Sequence, residues 1–519
     1  MTAACRGARS AALAATRAGL LLLLAVSGTS GRPLVAPELA GADVVQPRGL
    51  QAVPDELAAA AGGRYIVMFA PGADAAAAEA LLGGGARGAA AAGGQADVEL
   101  LGSLGQPAGE PTAPRGVAAA ASPGGAAGGG VQGAVVSATP DAVQRLRRSP
   151  LVAAVIPDLP LLPAGWQDAR PAGDAAAPRA VAAGAEPSAG GLPRVPLAAG
   201  EQVPTGVARI EAATAAGVVS SAGVPPGRQV VVGIIDSGID ASHPDLNYAG
   251  GVSFVKNDTD AGRDGFGHGT HLAGIVGARN NGAGLVGVSP GVPLFSLRIM
   301  DDSGFGLLSG MLSAVKWAAV NGRANGLRVI NLSLAAHLPA SSPGYALTLA
   351  SICPVFAEAS AAGVLSVVAA GNAGEALADY LPAACPGVAA VTALDGAGDG
   401  PAGFSNWLPA DAAPEERRRV VAAPGSDINS TVSFVVDPSG YAVKSGTSMA
   451  APHVAGAAAN CLMGGGCASP IGYKNLEPMR AAAQRRRSAR AAGAQPYVRA
   501  AAAGAAGRYY GWLVWGPGA

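Results

Sequence analysis

Residues 229–238 read Gln-Val-Val-Val-Gly-Ile-Ile-Asp-Ser-Gly, an apolar run that ends on a carboxylate and a glycine turn. The run predicts a buried strand, Gln229–Ile235, because strands covered on both faces lack the polar alternation of half-exposed ones. Asp236 then lies at the carboxyl end of the strand, where open α/β sheets place ligands and catalytic groups. The alternative is an ordinary turn, since Asp-Ser-Gly is common in loops.

Further apolar strands and helical stretches alternate around this strand. The predicted strands are Val292–Ile299, Val329–Leu334 and Val364–Ala369, and the predicted helices are His268–Arg279, Gly306–Asn321 and Leu347–Ala361. This alternation predicts an α/β domain over residues 200–467, with a parallel sheet flanked by helices on both faces.

A smaller module precedes this domain. The order strand–helix–strand–helix–strand predicts an open-faced α+β module over residues 64–161, interrupted by an Ala/Gly-rich insertion from about Gly83 to Gly130. Pro/Ala/Gly-rich linkers flank it at residues 31–63 and 162–199, and the second linker is a favourable place for proteolysis. Residues 468–519 form a C-terminal extension with a basic stretch.

Composition narrows the class of protein. The 519 residues are 50% hydrophobic, and the 35 Lys and Arg balance the 35 Asp and Glu, which excludes a basic surface for nucleic acid. Arginines, a short apolar run at Gly19–Val26 and small residues predict a secretory signal over residues 1–30. The run is too short to span a bilayer, so we expect no membrane segment. We expect export to the extracellular space, a cell wall or a vacuolar lumen.

The five cysteines also bear on whether the chain is exported. Cys5 lies in the predicted signal, which leaves Cys353, Cys385, Cys461 and Cys467. An even number in an exported chain predicts two disulfides, for which three pairings are open. The favoured pairing joins Cys353 to Cys385 and Cys461 to Cys467, because the second pair brackets only a short Gly-rich loop. Four buried free thiols are the alternative.

Three polar segments supply the parts of a nucleophilic site. Asp236 follows its strand, His268 begins a helix in Gly-His-Gly-Thr-His-Leu-Ala-Gly, and Ser448 begins another in Gly-Thr-Ser-Met-Ala-Ala-Pro-His. A serine hydroxyl needs a base to take its proton, and that base needs a third group to hold its tautomer. Asn372, at the end of Ala-Ala-Gly-Asn, can stabilise an oxyanion together with the Ser448 N–H.

These four segments resemble the motifs of the subtilase family, peptidases of the subtilisin and proteinase K kind, and follow the family's order Asp, His, Ser. The resemblance covers roughly residues 200–467. It implies a monomeric, secreted serine endopeptidase that hydrolyses protein and peptide substrates through an acyl-enzyme, without a catalytic cofactor. It also implies that residues 64–161 are an inhibitory prodomain, which occupies the cleft and is removed by an autocatalytic cut within residues 162–200.

The resemblance further implies a structural calcium ion. Its ligands are the side chains of Asp245 and Asn281, the carbonyls of Arg279, Ala283 and Leu285, and Glu201 once the N-terminus is freed. A surface Asn-Gly turn is the alternative. No His/Cys or His/Glu spacing suits zinc.

Substrate backbone is expected to pair with two enzyme segments. These are Ser333-Leu334-Ala335 and the segment around Ser303-Gly304. Relatives usually carry Gly where Ala335 stands, so a methyl group narrows the primary pocket or shifts its wall. We therefore expect a preference for apolar or small residues.

Two other functions are compatible with the same fold. One is a catalytically silent subtilase that serves as an extracellular binding or wall protein, although all four functional residues are present. The other is a peptide ligase or self-limited processing enzyme, which needs the same triad.

Overall fold

The computed structural model describes residues 62–82, 97–105, 133–164, 167–168, 192–214, 216–220, 224–395, 400–467, 476–481 and 507–514. The predicted signal with Cys5 lies outside these ranges, as does most of each predicted linker and of the C-terminal extension. Among the described residues, no helix combines the length and apolar character that a bilayer crossing requires.

The strands and helices are numbered in chain order. The strands are β1 (Arg64–Phe69), β2 (Val98–Ser103), β3 (Gly133–Ala138), β4 (Val152–Pro157), β5 (Pro160–Pro163), β6 (Gln167–Asp168), β7 (Arg194–Val195), β8 (Ala213–Thr214), β9 (Gly217–Val219), β10 (Val231–Asp236), β11 (Tyr248–Ser253), β12 (Leu294–Arg298), β13 (Gly306–Leu307), β14 (Leu327–Leu332), β15 (Leu334–His337), β16 (Leu365–Ala369), β17 (Tyr380–Leu381), β18 (Ala389–Leu394), β19 (Leu408–Pro409), β20 (Val420–Pro424), β21 (Ile428–Thr431), β22 (Tyr441–Ser445), β23 (Arg508–Tyr509) and β24 (Trp512–Leu513). The helices are α1 (75–82), α2 (Pro140–Arg148), α3 (Thr205–Arg209), α4 (His268–Gly277), α5 (Leu308–Asn321), α6 (Tyr345–Ala361), α7 (Pro414–Arg418), α8 (Thr447–Gly464) and α9 (477–481).

The large sheet confirms the predicted fold class. Its eight strands are all parallel in the order β11-β12-β10-β14-β16-β18-β20-β24. Consecutive residues of β10 face opposite sides of the sheet. Ile234 lies in one buried cluster with residues of α4 and α8, and Ile235 lies in another with residues of α5 and α6. Burial on both faces explains why β10 is apolar without alternation.

The N-terminal module is an antiparallel sheet in the order β2-β3-β1-β4, packed against α1 and α2. The sequence determines the start of α2: Pro140 occupies the first turn, and the Ala142 N–H donates to the Thr139 hydroxyl. The module therefore has its own small core, distinct from the two clusters of the large sheet.

Strand β2 corrects the sequence-based prediction, because it lies within the stretch from Gly83 to Gly130 that was assigned to an insertion. It pairs with β3 as an edge strand, with Val98 opposite Ala138. Of its residues only Val98 is buried, whereas Glu99 and Leu100 are exposed. An edge strand with so little buried surface has almost no hydrophobic periodicity. The Ala/Gly-rich sequence on either side therefore gives no pattern that marks it as a strand.

The structure contains both disulfides. Cys353, in α6, is bonded to Cys385, and Cys461, near the end of α8, is bonded to Cys467; each pair has a Cα–Cα distance of 5.3 Å. Both distances are within the usual range for a disulfide.

Candidate active site

Asp236 and His268 form a buried pair. Asp236 ends β10, His268 begins α4, and both side chains are fully buried. His268 Nδ1 lies 2.7 Å from Asp236 Oδ1, which also accepts the Ser237 N–H at 2.8 Å. Gly267 precedes the helix with φ of +87°, and a Cβ there would contact Val432 and Val436. The pairing of Nδ1 with a carboxylate leaves Nε2 as the nitrogen that can act as a base.

Ser448 and Asn372 meet at the start of α8. Ser448 Oγ donates to the Ser333 carbonyl at 2.9 Å. The Asn372 side chain is held by its oxygen, which accepts the Thr447 N–H at 2.8 Å. Its Nδ2 is buried and has no hydrogen-bond partner within the described part of the chain. A buried donor of this kind costs free energy unless an acceptor reaches it, so this nitrogen is a candidate oxyanion donor.

A second buried carboxylate, Asp264, connects the segments that carry Asp236 and His268. Its Oδ1 accepts the Ser237 hydroxyl at 2.8 Å and the Gly267 N–H at 2.7 Å. Its Oδ2 accepts the Thr270 N–H at 2.8 Å and the Thr270 hydroxyl at 2.6 Å. Burial raises the pKa of Asp264, and these hydrogen bonds oppose the rise. Sequence reasoning missed this residue; its one signal was an acidic side chain four positions before His268.

An extended segment of the same chain lies over these groups. Strand β5 is antiparallel to β13 on one side and to β15 on the other, with Leu161 opposite Gly306 and Leu162 opposite Ala335. The next residue after β5, Ala164, donates its N–H to the Ser333 carbonyl at 3.0 Å and accepts the Ser448 N–H at 3.1 Å.

Comparisons with known proteins place this arrangement in a family. The model of the Subtilase family matches residues 227–478. Subtilisin DY of Bacillus licheniformis is 40% identical over 237 residues, which are 45% of this chain and 76% of that protein. Subtilisin of Bacillus pumilus is 38% identical over 237 residues, again 45% of this chain and 76% of the relative. This chain belongs to the subtilase family.

The match covers only part of some relatives. Subtilisin amylosacchariticus of Bacillus subtilis subsp. amylosacchariticus is 38% identical over 237 residues, and this subtilase spans 55% of its length. The N-terminal module and β5 precede the residues that the family model matches.

The predicted substrate-contacting segment around Ser303 and Gly304 pairs with β5 a few residues further along the chain. Ser303 and Gly304 do not pair with β5; the pairing residues are Gly306 and Leu307. The reason is a tight turn, in which Asp301 Oδ1 accepts the N–H groups of Ser303 and Phe305 and the Ser303 hydroxyl. This turn shifts the pairing toward the C-terminus. On the other side the predicted contacts Ser333, Leu334 and Ala335 do face the segment.

The residues predicted to bind calcium form one loop cluster. Asp245 Oδ2 accepts the Leu285 N–H at 3.1 Å, and Asp245 Oδ1 lies 3.2 Å from Asn281 Nδ2. The Arg279 N–H donates to the Asp245 carbonyl at 2.9 Å, and Ala283 donates to the Asn281 side-chain oxygen at 3.2 Å. Burial raises the pKa of Asp245, so an ionised Asp245 is costly without a cation.

Glu201 contacts this loop in the full chain. Its Oε1 accepts the N–H groups of Asn281 at 2.6 Å and Gly282 at 2.7 Å. Its Oε2 is buried without a partner in the described ranges. Burial, and to a lesser extent the Asp245 charge, raise the pKa of Glu201. An orphaned carboxylate oxygen close to a second buried carboxylate fits a cation site.

Two further histidines of the motifs are fully buried. Burial lowers the pKa of His271 to about 3 and that of His453 to about 4. His453 Nδ1 lies 2.8 Å from the Met449 carbonyl. Its Nε2 lies against Gly206 of α3, where an added Cβ would come within 2.2 Å of it. His453 therefore packs as a neutral side chain between α8 and the start of the subtilase domain.

Proposed function

We propose that this subtilase is a secreted serine endopeptidase, made as a zymogen that processes itself. The observation that carries the proposal is a peptide carbonyl, that of Ala164, hydrogen-bonded to the N–H of Ser448, in a structure that also forms the buried Asp236–His268 pair. A carbonyl in this position is placed for attack by a serine hydroxyl.

In the proposed reaction each residue has one role. Ser448 Oγ attacks the peptide carbonyl and gives its proton to His268 Nε2, while Asp236 stabilises the resulting imidazolium. The Ser448 N–H and Asn372 Nδ2 bind the negative oxygen of the tetrahedral intermediate. His268 then protonates the leaving amine, and a water molecule activated by the same histidine hydrolyses the acyl-enzyme. Asp264 holds the Asp236 and His268 segments together and is a positioning residue.

The substrate class follows from backbone pairing. An extended protein or peptide segment adds a strand between β13 and β15, as β5 does, and the backbone hydrogen bonds require no particular side chain. Pairing on both sides favours a protein or peptide substrate over a small ester, because only an extended polypeptide completes both ladders.

Three features support the zymogen, its export and a structural calcium ion. The N-terminal module reaches the cleft through β5, so it blocks the site until it is cut. Two disulfides are typical of an oxidising compartment outside the cytosol. Asp245, Asn281 and Glu201, with nearby backbone carbonyls, would hold calcium. The ion would supply positive charge to the buried Asp245 carboxylate and the half-buried Glu201 carboxylate.

The test is a comparison of the full chain with Ser448→Ala and with Ser341→Ala, a matched control in an exposed loop. We expect the full chain and Ser341→Ala to shorten on incubation and to hydrolyse casein, and Ser448→Ala to remain uncut and inactive. Equal processing and equal casein hydrolysis by all three proteins would contradict the assignment of Ser448. Processing without casein hydrolysis would favour a self-limited enzyme, and joining of added peptides would favour a ligase.

A further inference from the structure

We infer that Asn406 and Trp407 are positioning residues for the oxyanion donor Asn372, and that Arg508, near the end of the chain, supports them at the surface. This inference rests on the proposed function and deepens it, because it names the side chains on which stabilisation of the oxyanion depends. All three residues act through the turn that carries Asn372, which comprises residues 370–377 and is called the oxyanion turn.

The oxyanion turn closes tightly around Asn406. It lies between β16 and β17, and Gly371 within it has φ of +102°. The Gly371 carbonyl accepts the backbone N–H of Asn406 at 3.0 Å, and a Cβ added to Gly371 would clash with Asn406 Nδ2. Glycine is therefore required at this position both for its backbone conformation and for the close approach of Asn406.

The Asn406 side chain bonds to the turn on both sides of Asn372. It is fully buried, and its Nδ2 donates to the Ala370 carbonyl at 3.0 Å. Its Oδ1 accepts the N–H of Ala373 at 2.9 Å and that of Glu375 at 3.1 Å. One planar amide thus satisfies backbone groups before and after Asn372. Removing it would leave a carbonyl and two N–H groups of the turn without these partners.

Trp407 holds the second half of the turn. Its indole N–H donates to the Gly374 carbonyl at 2.9 Å. Its backbone N–H donates to the Glu375 carbonyl at 2.9 Å, and its carbonyl accepts the Leu377 N–H at 2.8 Å. Asn406 and Trp407 together therefore fix the backbone of the oxyanion turn, which has no strand partners along most of its length.

This fixation matters because the effect of an oxyanion donor depends steeply on its position. The donor nitrogen must lie about 2.7–3.1 Å from the developing negative oxygen. A displacement of about 1 Å can cost about a hundredfold in rate. The Asn372 side chain has one further anchor, the Thr447 N–H, which donates to its oxygen at 2.8 Å. The backbone from which that side chain extends is held by Asn406 and Trp407.

Arg508 covers the outer face of Trp407. Its guanidinium lies 4.8 Å from the centre of the Trp407 ring, a cation–π contact. Arg508 belongs to β23, which pairs antiparallel with β19, the strand that directly follows Trp407. Arg508 also lies beyond residues 227–478, which the family model matches. Because Arg508 is exposed, we expect its contact to contribute less than the buried bonds of Asn406.

The first experiment measures kcat and KM for a peptide p-nitroanilide after processing has gone to completion. We expect Asn406→Ala to lower kcat about tenfold to a hundredfold and to change KM by less than about threefold. Asn460→Ala is the matched control, since Asn460 is also a buried asparagine and its Nδ2 donates to the Val288 carbonyl at 3.0 Å. Asn460→Ala should lower the melting temperature but change kcat by less than about threefold. A kcat for Asn406→Ala no lower than that for Asn460→Ala would overturn the inference.

A double-mutant comparison separates positioning from general loss of structure. In the Asn372→Ala background the donor is already absent, so adding Asn406→Ala should lower kcat by less than about threefold further. An equal loss in both backgrounds would show that Asn406 acts independently of Asn372 and would overturn the inference. If the unsubstituted protein hydrolyses neither the anilide nor casein, the proposed function fails instead.

Two milder variants keep the inference testable if Asn406→Ala does not fold. Trp407→Phe retains an aromatic ring and the backbone bonds but removes the indole N–H, and we expect kcat about threefold to tenfold lower, with no further loss in the Asn372→Ala background. Arg508→Ala should lower kcat about twofold, and Arg508→Lys, which keeps the cation, should restore it. An unchanged kcat in Trp407→Phe would overturn the role of Trp407, and an unchanged kcat in Arg508→Ala would overturn that of Arg508.

Discussion

Asp158→Ala is expected to weaken the binding of the N-terminal module to the subtilase domain about a hundredfold. Asp158 is fully buried between the module and the subtilase domain, and its two oxygens accept the Ser309 N–H and the Ser309 hydroxyl, each at 2.8 Å. Ser309 lies in the first turn of α5, so the carboxylate also meets the positive end of that helix. The substitution leaves a helix N–H and a hydroxyl buried without an acceptor.

The magnitude can be worked out from these contacts. Hydrogen bonds to a charged group contribute about 1.5–3 kcal/mol each, so the two Ser309 bonds give roughly 3–6 kcal/mol. Burial raises the pKa of Asp158, which means that desolvation of the carboxylate offsets part of this sum. A net loss of about 3 kcal/mol corresponds to roughly a hundredfold weaker binding. The ion pair with Arg64 lies within the module, so it persists after release and contributes little to docking.

The assay measures the initial rate at which casein-hydrolysing activity appears when the cut chain, with its module still bound, is diluted. Affinity changes of this kind act mainly on the dissociation rate. Arg64→Ala should change the rate by less than about threefold. Glu99→Ala, which removes an exposed carboxylate from the edge strand of the same module, is the matched control. If Asp158→Ala releases activity no faster than Glu99→Ala, the docking role of Asp158 is wrong.

Three other outcomes are expected. Asn372→Ala should lower kcat about 10²–10³-fold with little change in KM, the cost of losing an oxyanion donor in subtilisin, and a loss confined to KM would count against that role. His453, with its pKa lowered to about 4, favours the neutral form in the fold, so its contribution is complete above pH 6.5 and is lost as pH falls toward 4. The unfolding free energy of Ser448→Ala should therefore fall by about 3 kcal/mol over that range through His453, and by a similar amount through His271, whose pKa is lowered to about 3. Melting curves should show this fall reduced to about half by adding His453→Gln and unchanged by adding His337→Gln, at an exposed site. A chelator should lower the melting temperature of the uncut Ser448→Ala chain, and adding Asp245→Asn should remove the response; indifference of the uncut chain to chelator would argue against the calcium site.

The large sheet and the segments that carry Asp236, His268 and Ser448 could be predicted from sequence because each has a strong local signal. Strand β10 is an unbroken apolar run, and Asp236 ends it. Periodicity also placed α5, whose buried residues recur on one face. These features depend on burial and helix geometry, and both produce a recognisable pattern of apolar residues in the local sequence.

The missed features depend on contacts that are distant in sequence. Asp264 acts through Ser237, which is 27 positions earlier. This carboxylate has no local pattern that separates it from a solvated loop residue. The pairing of β5 with Gly306 rather than with Ser303 and Gly304 depends on how the Asp301 side chain closes one turn. Sequence spacing does not show which backbone groups such a turn removes from pairing.

Two contacts determine the register of β5, one made by Asp158 and one made by Leu161. Asp158 is bound to Ser309 at the start of α5, and Leu161 is buried three residues later. A strand has a side-chain period of two, so a slip by one residue would bury Leu162 and expose Leu161. The same slip would move the carbonyl of Ala164 away from the Ser448 N–H. The docking contact of Asp158 and the burial of Leu161 therefore act together to fix the register of β5 between β13 and β15.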